Sequence, residues 1–84
     1  MRIVFSSEAL EDQRYFKERA PKAAEKLGQL LENIIQTPYS GLGKPEPLKY
    51  GLSGFWSRRI DREHRLVYKV DDDTIYVVSC RYHY

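Results

Sequence analysis

The stretch Ser53–Val70, SGFWSRRIDREHRLVYKV, constrains the fold more than any other part of the chain. FWSRRI and HRLVYKV are rich in aromatic and β-branched residues, which suit a pleated, half-buried surface, and the charged D-R-E between them suits a turn. The stretch predicts a β-hairpin. If Ile60 and His64 close a three-residue loop, Arg59 lies directly across from Arg65. Two arginines opposed on one sheet face repel unless an anion sits between them. Beside a Trp and a Phe, such a surface suits phosphate recognition. Both arginines are equally compatible with plain solvated strand positions.

The residues before the hairpin supply a layer to cover a sheet. Arg2–Phe5 predicts a short strand. Ser6 or Ser7 can cap the helix that follows, with Glu8, Glu11 and Asp12 near its positive N-terminal end. This helix is expected to run to about Arg19 and to bury Ala9, Leu10 and Phe16. Pro21 suits the first turn of a second helix. There Leu27, Leu30, Leu31, Ile34 and Ile35 recur at helical spacing and form the longest apolar stripe in the sequence. Gly28 weakens that helix slightly, which close packing would explain. Thr37-Pro38 ends it. Two helices of this length need a sheet to pack on, so the stripe reads as core.

Residues 38–47, PYSGLGKPEP, form a loop with three prolines and two glycines. Glu46 is held between Pro45 and Pro47, so its carboxylate is carried on stiffened backbone, which lowers the entropy of aiming it. Leu48–Leu52 predicts a strand entering the sheet, and Ser53-Gly54 a bend. After Val70, Asp71–Asp73 predicts a tight turn, and Thr74 to about Tyr82 a last strand. If that turn also closes with three residues, Arg65 pairs with Ser79. One face then carries Arg59, Arg65, Arg81 and His83. The helices cover the other, with Trp56, Ile60, Leu66, Tyr68, Tyr76, Val78 and Cys80.

At 84 residues the chain is read as one domain, 1–84. Charged residues at 31% and hydrophobic ones at 42% fit a globular protein and exclude a disordered one. No apolar run approaches the roughly 20 residues needed to span a bilayer, and the start, MRIVFSSEALED, turns acidic too early for a signal peptide. A cytoplasmic location is expected, with no membrane partner. Cys80 cannot form an internal disulfide, and as the lone cysteine of an apolar strand pattern it reads as a small hydrophobe. With only His64 and His83, no zinc site is expected. Residues 1–43 balance six Lys/Arg against six Asp/Glu, whereas residues 44–84 hold eight against six. The net charge of +2 thus lies wholly in the half with the hairpin. Asp71–Asp73 gather three of its acids in one turn, which leaves the strands more basic still and favours an anionic partner.

A carboxylate on a rigid loop, arginines on a sheet and a terminal His83-Tyr84 together suit RNA cleavage without a metal. A base must take the proton of a ribose 2′-hydroxyl. A cation must hold the developing negative charge, and an acid must protonate the leaving 5′-oxygen. Histidine, with an ordinary pKa of roughly 6.5, suits the acid.

GKPEPLK from Gly43, LSGFWSRRI from Leu52, HRLVY from His64 and the closing CRYHY resemble the YoeB-type toxins of the RelE-like superfamily. The resemblance spans the chain from the first strand to the last residue. It implies an α+β fold of order β-α-α-β-β-β, a small, mostly antiparallel sheet with the two N-terminal helices on one face. It also implies a type II toxin that cuts messenger RNA in the ribosomal A site, without cofactors, and that a YefM/Phd-type antitoxin silences. A homodimer is a family expectation. Carried onto matching positions, Glu46 is the general base, Arg65 the transition-state stabiliser and His83 the general acid, with Tyr84 in support. Lys49 and Arg59 bind the phosphate backbone. Asp61-Arg62-Glu63 and Tyr50 fall where such toxins vary. Two other readings stand beside this one: a non-catalytic toxin of the same fold, such as one that binds DNA gyrase, and an RNA-binding module with Trp56 and Tyr84 as stacking platforms.

Overall fold

The computed structural model describes residues 1–81. Strand β1 (Arg2–Phe5) leads into helix α1 (Ser7–Arg19), and helix α2 (Pro21–Gln36) follows after a single residue. Ser6 caps α1: its Oγ accepts the Ala9 N–H at 3.0 Å and donates to the Val78 carbonyl at 2.7 Å, which ties the helix start to the sheet. Pro21 opens α2, where its missing N–H costs nothing, and the backbone leaves the helix at Thr37.

Four further strands complete a five-stranded sheet: β2 (Glu46–Pro47), β3 (Trp56–Arg59), β4 (Arg65–Asp71) and β5 (Thr74–Ser79), in the order β1-β5-β4-β3-β2. The β1–β5 pair is parallel and the rest are antiparallel. The α+β class and the helix-covered sheet are as the sequence implies, with one strand more than the β-α-α-β-β-β order. That strand is the two-residue edge Glu46–Pro47; Leu48–Leu52, read as the strand, lies outside it. Proline is tolerated at an edge because its missing N–H leaves no ladder partner wanting.

Both helices pack on one sheet face. Ala9 and Phe16 of α1 and Ala23, Leu27, Leu30, Leu31 and Ile34 of α2 meet Ile60, Leu66, Tyr68, Ile75, Val77 and Cys80. Leu10 and Ile35 depart from expectation and are exposed, because each lies at the outer margin of its helix's apolar stripe. Gly28 is exposed too, and a Cβ there would touch nothing within 4 Å, so close packing does not explain it. Among the described residues, no helix is long and apolar enough to cross a membrane.

The hairpin has the expected register: Arg59 pairs with Arg65, and the Ile60 N–H donates to the His64 carbonyl at 3.0 Å across a three-residue loop. The second turn is shorter than expected. Asp71 pairs with Thr74, and Asp72 takes a left-handed φ of 53°, which Asp tolerates. A bulge then shifts the ladder so that Val67, and not Arg65, pairs with Ser79. The parity of β5 changes accordingly. Ile75 and Val77 face the helices, Tyr76 faces out, and beyond the bulge Cys80 returns to the core. Arg81 departs as well: its guanidinium stacks on the Tyr15 ring of α1, 3.6 Å from the centroid, instead of joining Arg59 and Arg65.

Candidate active site

The sheet face away from the helices carries the candidate site, and strand pairing sets its layout. Glu46 is opposite Ser57, which is opposite Val67; two residues along β3, Arg59 is opposite Arg65. Period two keeps Ser57, Arg59, Arg65 and Val67 on one face. Glu46 sits at the edge of that face, one row along the strands from the two arginines, with Arg59 one strand over and Arg65 two. A cavity of about 140 Å³ lies here, lined by Glu46, Leu48, Ser57 and Arg65. The proposed base and the proposed cation thus border the same small volume.

The loop that presents Glu46 is held from below by a residue that sequence reasoning missed. Arg58, next to Arg59 but on the helix face, is fully buried. Its five N–H groups all find acceptors: Nε to Tyr68 Oη at 3.1 Å, Nη1 to Asn33 Oδ1 at 2.6 Å and Leu42 O at 3.1 Å, and Nη2 to Thr37 O at 2.7 Å and Ser40 O at 3.0 Å. Tyr68 passes its own proton to the Pro38 carbonyl at 2.7 Å, and burial raises the pKa of its hydroxyl, so it remains a donor. The segment from Thr37 to Leu42 is wound around this guanidinium. Gly43 continues it at a φ of +79°, and its carbonyl accepts the Arg59 N–H at 2.7 Å. Alternation through Trp56, Arg58 and Ile60 was the available signal, since it sets Arg58 among apolar residues.

A second carboxylate, on α1, anchors the far end of the sheet. Asp12 is buried, and its Oδ2 accepts the N–H of Cys80 at 2.8 Å and of Arg81 at 3.3 Å. Cys80 beside it is fully buried, and burial pushes its thiol up to about 12, so it is inert near neutrality. Trp56 is half-buried on the helix side, with its ring centroid 4.8 Å from that of Tyr39. That position withdraws it as a stacking platform on the open face.

The structure therefore brings Glu46, Arg59 and Arg65 to one face. Lys49 is exposed on the loop after β2 and does not line the cavity of Glu46 and Arg65. His83 and Tyr84, the proposed acid and its support, lie outside the described residues. Among the described residues, no group of three His, Cys, Asp or Glu could hold a metal ion.

Solved structures with this architecture define the class. A YoeB/ParE toxin from Agrobacterium tumefaciens superposes with a TM-score of 0.97 at 41% identity, each chain covered in full. A YoeB dimer from Staphylococcus aureus gives 0.95 at 48% identity, covering all of this chain and 98% of the other; a YoeB–YefM complex from the same organism gives 0.92 at the same identity and coverage. YafQ from E. coli, 22% identical with a TM-score of 0.80, shares the fold. The molecule is thus built as a small bacterial toxin. The model of the YoeB-like toxin of bacterial type II toxin–antitoxin systems matches residues 5–84. Toxin YoeB of Escherichia coli K12 is 49% identical over the full length of both chains, and Toxin YoeB of Streptomyces coelicolor 50%. The chain belongs to the YoeB-like toxins of bacterial type II toxin–antitoxin systems.

Proposed function

We propose that this toxin is a ribosome-dependent endoribonuclease that cleaves messenger RNA in the A site, using its own acid and base. The observation that carries the reading is the small cavity on the sheet face away from the helices that Glu46 and Arg65 line together. Glu46 takes the proton of the ribose 2′-hydroxyl, whose oxygen attacks the adjacent phosphorus. Arg65 meets the negative charge that builds on the phosphate oxygens. His83 gives a proton to the departing 5′-oxygen, with Tyr84 supporting the site. The P–O5′ bond breaks as the P–O2′ bond forms, leaving a 2′,3′-cyclic phosphate and a 5′-hydroxyl. Lys49 and Arg59 hold the backbone on either side. Because the acid and base are side chains, cleavage should persist in EDTA.

The chain acts as a single domain in the cytoplasm. The S. aureus relatives form a YoeB dimer and a YoeB–YefM complex, which supports a homodimer and a YefM/Phd-type antitoxin as partners here. An antitoxin segment with Asp or Glu beside apolar anchors suits the basic sheet face and would cover His83 and Tyr84.

The test is single-turnover cleavage on programmed ribosomes, with affinity measured separately. Glu46→Gln, Arg65→Ala and His83→Ala should each slow the cleavage step by about 10²–10⁴-fold. His83→Ala should leave ribosome affinity nearly unchanged. A message with a 2′-O-methyl group on the nucleotide 5′ of the cut should resist. Efficient cutting of that message would refute the mechanism, and wild-type speed from His83→Ala at saturating ribosomes would refute the general acid.

A further inference from the structure

Beside the Glu46 cavity lies a larger one of about 480 Å³, and the two share Arg65. We propose that this larger cavity is a second phosphate-binding subsite, which, if the endoribonuclease reading is right, holds the RNA backbone next to the phosphate being cleaved. Cationic side chains reach it from separate parts of the fold: Lys26 from α2, Lys44 from the loop before β2, Arg59 from β3, Arg62 from the hairpin turn and Arg65 from β4. Ile60, buried, and Gly43 also line it. Among the described residues, the ion pairs are Met1–Asp73 and His64–Glu63, and neither engages any of these five cations. One carboxylate, Asp61, joins the lining, but its Oδ1 already accepts the N–H groups of Glu63 and His64 at 2.8 and 2.7 Å and serves the turn.

Five like charges around one volume repel each other, and an arriving anion removes that penalty. The backbone adds a second sign. Lys44 sits at a φ of +52°, a left-handed conformation that a lysine adopts only at a cost, so the fold holds this cation against its own preference. Among the described residues, the lining carries no aromatic ring on which a base could stack. The subsite therefore reads charge and not sequence, as backbone contacts do. Continuity through Arg65 favours RNA over an acidic peptide, and so does the lack of an exposed apolar anchor among the described residues of the lining, since peptide recognition pairs charge with apolar pockets. The phosphates could belong to the message or to ribosomal RNA; both present the same diester chemistry.

The test replaces the three cations that the cleavage mechanism does not use: Lys26→Gln, Lys44→Asn and Arg62→Gln, combined in one protein. Asn suits the left-handed backbone at that position, and urea unfolding checks that the fold is intact. Affinity is measured against salt for a short 2′-O-methylated single-stranded RNA, for programmed ribosomes and for polyglutamate. Single-turnover cleavage is followed in parallel. Loss of three contacts should lower the slope of log affinity against log salt by about 2. The rate at saturating ribosomes should stay within about twofold, because binding is lost and not the chemical step. A slope that falls with free RNA assigns the subsite to the message; one that falls only with ribosomes assigns it to ribosomal RNA. An unchanged slope on both overturns the proposal, as does a loss confined to polyglutamate. A wild-type protein that binds this RNA yet never cuts a message would overturn the endoribonuclease reading, while the binding arms still decide this one.

Discussion

Arg58 and Arg59 are neighbours in one strand and have opposite lives. Arg58 faces the helices, is fully buried and spends all five N–H groups on neutral acceptors. Arg59 faces out, is exposed and meets another arginine across the ladder. Strand periodicity alone separates them, since successive side chains point to opposite faces. The inner arginine builds: it gathers the carbonyls that follow α2, where the helix dipole leaves partial negative charge, and so fixes the loop that ends in Glu46. Among the described residues no carboxylate pairs with the outer arginine, and a cation left beside others is what an anionic ligand requires. Burial with complete hydrogen bonding turns a charge into structure, and exposure beside like charges keeps it available.

The comparison breaks most sharply at Arg58. Arg58→Met removes the guanidinium donor from three carbonyls, the Asn33 amide oxygen and the Tyr68 hydroxyl, of which Asn33 Oδ1 keeps the Leu42 N–H and Ser40 O the Thr37 hydroxyl. It should destabilise the protein by about 3–5 kcal/mol, the range for removing one partner of a buried charged network. Urea unfolding reads this directly. Arg58→Lys should recover little, because an ammonium offers three donors where the guanidinium offers five in a fixed fork. A loss below about 1 kcal/mol would show that the network is not what holds the loop, since that is the worth of a single ordinary hydrogen bond.

A smaller effect is expected where the loop presses on both arginines. At Gly43 a Cβ would come within 3.0 Å of the Arg59 carbonyl oxygen and 3.1 Å of Arg58 Cβ, at a φ of +79°. Gly51 has a nearly equal φ of +80° and nothing within 4 Å of a Cβ. Gly51→Ala should therefore report backbone strain alone, about 1–2 kcal/mol, and Gly43→Ala strain plus contact, with a larger loss in the same unfolding measurement. Equal losses would mean that the loop does not pack on the strand as tightly as Arg58 demands.

The same two arginines show where the sequence is legible. The register that opposes Arg59 to Arg65 can be read because D-R-E sets the loop length and the flanking pattern sets the faces. The helix ends can be read because Ser6, Pro21 and Thr37-Pro38 act locally. The second turn cannot, since an aspartate that accepts a left-handed φ closes it in two residues, and the bulge at Val67/Tyr68 then corrects the ladder without a signal of its own. Arg58 escapes notice because charge defaults to solvent in any composition-based reading, and only its five acceptors, scattered over Asn33 to Tyr68, make burial affordable. Glu46 and Arg65 are legible as candidates from their chemistry. Lys26 and Arg62 are not, because a helix residue and a turn residue share a cavity only once the chain has folded.

The smallest effect is expected at Arg59, and it sharpens the contrast from the other side. Arg59→Gln removes a charge that no described carboxylate pairs with, so stability should move by no more than about 0.5 kcal/mol. The direction is informative. Losing one of two opposed like charges relieves repulsion, so any shift should be toward greater stability. Arg65→Gln should relieve the same repulsion, and the double variant should therefore gain less than the sum of the two, with a coupling of about 0.2–1 kcal/mol. RNA binding should respond where stability does not: the salt slope should fall by about 0.7–1, the signature of one lost phosphate contact. Unfolding curves for the four proteins of the cycle and one salt titration of Arg59→Gln suffice. A destabilised Arg59→Gln with an unaltered salt slope would make Arg59 a second structural arginine, and the division between the two faces of β3 would fall.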